Sequence, residues 1–240
     1  MAENTTRKVI IPETEVVGNT YTYGRKDNTM FAYEDMKITV HEYEHIMTSK
    51  TSWLNHNVID YYMRILNNAV NEKRLEMNKK QMFYFNTAFY TQLTDSDTGY
   101  NYEAVKRWYK NLRLKNYGDL FLVLHLPRHW ASPRICTLSK TIYYMDSWKP
   151  SNAVALERMH RVERYMSSVT SLCHGWNKVI MNVPQQRNGY DCGVYVCMFA
   201  YGPCLLDEVP QFDNIYVADH GRNMIFGSIT ESSLLRFDIY

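Results

Sequence analysis

The run Asp119–Leu126 (DLFLVLHL) does most to limit what this chain can become. Its apolar residues are continuous rather than alternating, the pattern of a strand covered on both faces. Such a strand needs a sheet with packed layers above and below it. Shorter strand-like pieces lie at Met36–Val40, Met82–Tyr90, Arg134–Leu138, Thr141–Met145 and Trp176–Val183. Apolar spacing predicts helices over 54–70, Tyr102–Arg113, Ala153–Val169, Gly193–Tyr201 and Asp219–Ile229. In the first of these, Leu54, Val58, Tyr61, Tyr62, Ile65 and Leu66 share one stripe, and the polar stretch Thr48–Ser52 can cap that helix. Val40–Met47 reads as either helix or loop. The order is helix, then mixed strands, then helices, which makes the chain α+β with no repeat and no low-complexity linker. Residues 1–30 read as a polar tail with one extended piece near Lys8–Ile11, and 31–240 as a single domain.

Composition narrows the function classes. A formal net charge of +2 over 240 residues is too mild to imply a nucleic-acid partner. The N-terminus has no apolar signal-peptide core, and no apolar run approaches a membrane span. The five cysteines, at 136, 173, 192, 197 and 204, include no CxxC pair and no Cys/His spacing of a zinc site. The expectation is an intracellular protein, nuclear or cytoplasmic and not secreted, with reduced thiols, no metal, no cofactor and no membrane partner. A monomer is expected.

Chemistry concentrates in Gln185–Val194 (QQRNGYDCGV). A turn-rich segment runs into a buried apolar element, and Cys192 stands at the junction. If the element is a helix, Cys192 sits where unpaired N–H groups and the helix dipole favour a thiolate. The ordinary alternative is a buried structural cysteine. A nucleophile needs a base and an orienting acid. His129 is the best base, because it comes after the buried strand across Pro127-Arg128, at a strand end, with Trp130 beside it to exclude water. His125, inside the apolar run, is expected to pack in the core. His41, His45, His56, His160, His174 and His220 are expected to be solvated. Asp146 ends the run Thr141–Met145 and can accept the ring N–H of His129; its alternative is to open a turn with Ser147. Gln186, returned by the Asn188-Gly189 turn, can donate to an oxyanion, worth about 3 kcal/mol of barrier. Gln185 is the neighbouring alternative, and the Cys192 N–H a second donor.

The segment PQQRNGYDCGVYVCM resembles the active-site segment of the Ulp/SENP family, the cysteine proteases specific for ubiquitin-like proteins of the SUMO type. Trp53-Leu54-Asn55 before an amphipathic helix resembles that family's Trp-Leu-Asn motif. Phe85–Tyr90 (FNTAFY) resembles its Asn-x-x-Phe-Tyr strand, and His129-Trp130 and Asp146-Ser147 match its His-Trp and Asp-Ser pairs, seventeen residues apart. The resemblance runs from about Met36 to Ile229. It implies a papain-like cysteine protease fold of the Ulp/adenain type: a mixed central sheet flanked by helices, with the nucleophile at a helix N-terminus. It implies Cys192 as nucleophile, His129 as base then acid, Asp146 as its orienting partner and Gln186 in the oxyanion hole. Trp53 and Trp130 would wall a tunnel that admits a Gly-Gly tail by steric exclusion, with Asn55, His56 and Gln185 as further substrate-binding candidates. The implied activity is deconjugation or precursor processing of a SUMO-type modifier. Two departures stand out. His56 replaces an acid that comes after Trp-Leu-Asn, which leaves the modifier less defined. Pro133 interrupts the strand after His129-Trp130, so that strand should lie at an edge, be bulged or start late at Arg134. Other readings are a protease for NEDD8 or ubiquitin, an adenain-like endopeptidase, and a noncatalytic modifier-binding module.

Overall fold

The computed structural model of the protein describes residues 14–17, 20–23, 28–94, 99–109, 113, 116–169, 175–205 and 220–235. A hairpin of β1 (Thr14–Val17) and β2 (Thr20–Tyr23) falls within the segment that reads as tail; the extended piece near Lys8–Ile11 lies outside the described residues. A second hairpin, β3 (Thr29–Tyr33) and β4 (Met36–Thr39), leads into α1 (Val40–Glu42) and a π-helical turn at Tyr43–Met47. Then come α2 (His56–Glu76), β5 (Gln81–Phe85), α3 (Thr87–Leu93) and α4 (Tyr102–Val105). The sheet strands β6 (Tyr117–Leu122), β7 (Leu124–Leu126), β8 (His129–Cys136) and β9 (Thr141–Met145) come next. The chain continues through α5 (Asn152–Val169), β10 (Asn177–Ile180), α6 (Cys192–Leu205) and α7 (Arg222–Glu231).

The central sheet has the order β10-β9-β8-β6-β5, with β7 paired to β8. Its outer pairs are parallel and its inner pairs antiparallel, so it is mixed, as expected. The apolar run at its centre serves two cores at once. Phe121 and Val123 enter one cluster with α2 and α6, while Leu120, Leu122, Leu124 and Leu126 enter the other with α3 and α5. Period-two alternation with apolar residues at both phases produces this sharing.

Several expectations need correction. The long run is two strands, broken at Val123, and His125 points outward to stack on Trp130 at 4.3 Å instead of packing in the core. The strand bearing Pro133 is central and begins at His129. It exchanges one neighbour for another there, pairing β7 through Ala131 and β6 from Arg134, with Pro133 in the interruption. The cap of α2 is Asn55, whose Oδ1 accepts the Val58 N–H at 3.0 Å, while Ser52 bonds back to the His45 carbonyl instead. Met82–Tyr90 is a strand only to Phe85; Asn86 then caps α3. The expected helix from Tyr102 is a single turn with Trp108 exposed, and positions 110–112 of it lie outside the described residues, as does Asp219 of the last helix. The strand expected over Trp176–Val183 covers Asn177–Ile180 only.

The helix after Cys192 needs no correction. Every residue from Asp191 to Gly202 is buried, so α6 is apolar all round and runs through the protein as a core helix. At Gly193 a Cβ would stand 2.9 Å from Leu54 Cβ and 3.3 Å from Ile59 Cδ1. The glycine after Cys192 therefore lets α6 press its first turn against the start of α2, which carries Trp53 at its entrance.

Candidate active site

Three chain segments meet at the N-terminus of α6. The first is the two-residue turn Pro127-Arg128 between β7 and β8, where Leu126 pairs with His129. Arg128 takes φ +56, the conformation a turn of this type asks of its second residue after proline. The turn delivers His129 as the first residue of β8. The second segment is the turn at Asp146-Ser147-Trp148, which leaves β9 beside β8. The third is 185–191, which enters α6. Cys192 is the first residue of that helix and is 1 % exposed. Its N–H is one of the four without an intrahelical partner.

His129 Nε2 lies 2.6 Å from Asp146 Oδ1, and the ring also hydrogen-bonds the Cys192 sulfur, which leaves Nδ1 for that contact. Asp146 Oδ1 also accepts the Trp148 N–H at 2.9 Å, and Oδ2 accepts the Tyr144 hydroxyl at 2.9 Å and Arg158 Nη1 at 3.3 Å. Arg158 Nη1 donates to the Tyr144 hydroxyl as well, at 2.6 Å. A buried carboxylate with this many donors is held in one orientation. Burial acts to raise the Asp146 pKa, but the hydrogen bonds from His129, Trp148 and Tyr144 and the charge of His129 hold it below the usual carboxylate value. Burial acts to lower that of His129; hydrogen bonds and charge from Asp146 and Cys192 outweigh it and raise the imidazole to about 9. An imidazolium between two anionic partners is the form this environment favours.

The sign of that shift gives a pH prediction. A folded-state pKa above the usual 6.5 stabilises the protein fully below 6.5, and the contribution disappears as pH rises through about 9. The alkaline limb of kcat/KM is expected near pH 9, with a fall in thermal stability over the same interval. A limb near the usual histidine value would mean that Asp146 and Cys192 do not hold the proton on His129.

The 185–191 segment is built by its side chains. Asn188 Oδ1 accepts the N–H groups of Tyr190 and Asp191, each at 3.0 Å, and its Nδ2 donates to Asp191 Oδ2 at 2.6 Å. Asp191 in turn binds the buried Arg222 of α7 through Nε at 3.0 Å and Nη2 at 2.8 Å. Nη2 of Arg222 also reaches the Ser52 carbonyl at 2.7 Å, so one guanidinium ties the residue before Cys192 to the residue before Trp53. Gln186 turns its side chain to Asn188, donating Nε2–H to that carbonyl at 2.6 Å, and accepts the Ser147 hydroxyl on Oε1 at 2.6 Å.

A cleft of about 380 Å³ opens over this centre, lined by Trp53, Arg128, His129, Asp146, Trp148 and Gln186 among others. Trp53 is 40 % exposed and has the Arg128 guanidinium over its ring at 6.0 Å. Trp130 is 5 % exposed, gives its indole N–H to the Leu54 carbonyl at 3.1 Å and does not line the cleft. The tryptophan facing Trp53 across it is Trp148, 60 % exposed and edge-on to His129. Asn55 is taken up by the α2 cap and by Glu42, and Gln185 donates to the Asp146 carbonyl at 3.0 Å and the Val183 carbonyl at 2.9 Å, so both amides serve the framework. His56 is exposed at the start of α2 and does not line the cleft. Sequence reasoning missed Arg158, Trp148 and Arg222 as contributors. Trp148 was visible beside Asp146-Ser147; the two arginines carry no local signal. Among the described residues no group of three His, Cys, Asp or Glu side chains could hold a metal ion. Cys136, Cys192 and Cys197 are free thiols.

A thiol at a helix N-terminus, hydrogen-bonded to a histidine that a buried aspartate orients, is the arrangement of a cysteine-type acyl-transfer enzyme. The chain belongs to the Ulp1 protease family: residues 52–214 match its C-terminal catalytic domain. Among curated proteins it is 33% identical over 156 residues to ubiquitin-like-specific protease 1A of Arabidopsis thaliana, covering 61% of this chain and 31% of that protein. It is 28% identical over 180 residues to ubiquitin-like-specific protease 1 of Saccharomyces cerevisiae, covering 72% of this chain and 27% of that one. The chain thus matches about a third of the length of these relatives. Among solved structures it is similar to the C-terminal Ulp1 protease domain in complex with Smt3, the yeast ortholog of SUMO. The TM-score is 0.69 at 26% identity, over 83% of this chain and 85% of that one. It is equally similar to Ulp1 with its catalytic cysteine oxidised to a sulfenic acid, with a TM-score of 0.70.

Proposed function

We propose that this protein is a cysteine protease that cleaves after the C-terminal Gly-Gly of a SUMO-type modifier, by deconjugation, precursor processing or both. The observation that carries the reading is the 2.6 Å contact between His129 and Asp146 beside Cys192 at the N-terminus of α6. The Cys192 sulfur, its proton taken by His129, attacks the carbonyl of the last glycine. Gln186 and the Cys192 N–H hold the oxyanion. His129 then protonates the leaving amine, and water hydrolyses the thioester. Asp146 keeps the imidazole in the required tautomer and orientation. Trp53 supports the diglycine reading: a flat ring at the cleft favours a chain segment without side chains. The SUMO-type substrate is supported by the relatives' names and by the Smt3 complex of the similar Ulp1 domain. Action as a monomer in the nucleus or cytoplasm belongs to the same proposal; no helix among the described residues is long and apolar enough to cross a membrane.

The test is a panel of SUMO, NEDD8 and ubiquitin carrying C-terminal vinyl sulfone. Covalent capture of SUMO at Cys192, located by mass spectrometry, is the expected result. Capture of NEDD8 or ubiquitin without SUMO would move the activity to another modifier, and capture of none would leave only the binding-module reading.

A further inference from the structure

The turn after β9 carries more than the acid. Asp146 and Ser147 are adjacent and buried, at 5 % and 1 % exposure, and their side chains serve opposite halves of the site. Asp146 holds His129, whereas the Ser147 hydroxyl donates to Gln186 Oε1 at 2.6 Å. The backbones are locked in the same register: the Gln186 N–H donates to the Ser147 carbonyl at 2.9 Å, and Gln185 Nε2 donates to the Asp146 carbonyl at 3.0 Å. The two loops therefore meet as one unit.

We propose that Ser147 is a positioning residue for the oxyanion hole, selecting the one orientation of the Gln186 amide that can stabilise negative charge. The inference rests on the assignment of Gln186 as oxyanion donor. A side-chain amide presents an acceptor at one end and donors at the other, and a 180° flip exchanges them. Only the nitrogen end can meet an oxyanion; the oxygen end would repel it. The Ser147 hydroxyl can donate to Oε1 and not to the amide nitrogen. In the flipped amide its proton would have no acceptor, and the oxygen would face the Asn188 carbonyl, which now accepts Nε2–H at 2.6 Å. Both neighbours select the same rotamer, and the second Nε2 proton is left for the incoming oxygen. The donated bond also draws electron density toward Oε1, which makes the Nε2 protons better donors.

The experiment uses the modifier captured by the vinyl-sulfone panel, once as a C-terminal fluorogenic amide and once as a C-terminal aldehyde, whose adduct with Cys192 carries the tetrahedral oxygen. Ser147→Ala is expected to lower kcat about tenfold with KM unchanged, the order of one neutral hydrogen bond. It is expected to weaken aldehyde binding by a similar factor. Alkylation of Cys192 by iodoacetamide, which builds no oxyanion, should keep its rate. A general loosening of the site would move alkylation together with turnover. In a Gln186→Ala background the Ser147→Ala change should cost nothing further. Normal kcat in Ser147→Ala while Gln186→Ala is impaired would overturn this inference alone, and so would additive losses in the double variant. Normal kcat in Gln186→Ala would overturn the oxyanion assignment and this inference with it. Ser147→Cys keeps most of the volume with a weaker donor and should shift kcat in the same direction if the alanine variant does not fold.

Discussion

Replacing Cys192 by alanine is expected to lower turnover by at least about 10⁴-fold while leaving modifier binding within a factor of about two. The side chain is 1 % exposed and small, and Val194–Ala200 around it are buried independently, so the loss is chemical rather than structural. Cys197 cannot substitute. It lies deeper in α6, and burial and the charge of Asp60 raise its pKa far above the usual thiol value, which keeps it an unreactive thiol. The measurement pairs hydrolysis of a modifier fluorogenic amide with calorimetric binding of the same modifier. Residual turnover above a trace would identify another nucleophile.

Asp146→Asn is the second large effect, with kcat expected to fall by about 10⁴-fold and the melting temperature to change little. Asparagine retains the shape and can still accept from Trp148, Tyr144 or Arg158 through its oxygen. Its amide nitrogen cannot accept the His129 Nε2–H, and an amide turned to donate there would impose the wrong tautomer. The alkaline limb set by His129 should move down from about 9, because the largest upward contribution to that value is the Asp146 hydrogen bond. Near-normal kcat would return Asp146 to the role of an ordinary turn former, bonded to its own loop through the Trp148 N–H.

The candidate catalytic residues were readable because each stands at the end of an element with a strong pattern. His129 comes after an unbroken apolar run, Asp146 comes after a strand of β-branched and aromatic residues, and Cys192 opens a helix that is apolar on every face. What failed were inferences about which side of an element a residue faces, or which neighbours it has. His125 lies in an apolar run yet faces out, because the break at Val123 starts a new strand. Pro133 argues against a central strand by itself, and the exchange of β7 for β6 beside it accommodates it. Trp130 sits next to the base in sequence but on the core face of β8; Trp148, two residues after the acid, stands at the cleft.

The sequence by itself determined the α+β class, the helix that begins at Cys192 and the order of His129, Asp146, Gln186 and Cys192. These depend on periodicity and on motifs contained in short windows. Only the tertiary structure decided what fixes those groups in place: Arg158 on the Asp146 carboxylate, Arg222 bridging Asp191 to the Ser52 carbonyl, and Ser147 on the Gln186 amide. The Ser147–Gln186 and Arg222–Asp191 bonds join residues 39 and 31 positions apart, and the bond from Arg222 to Ser52 spans 170. A hydrogen bond depends on the direction of two side chains that meet only after the sheet has formed, and no local periodicity records that direction.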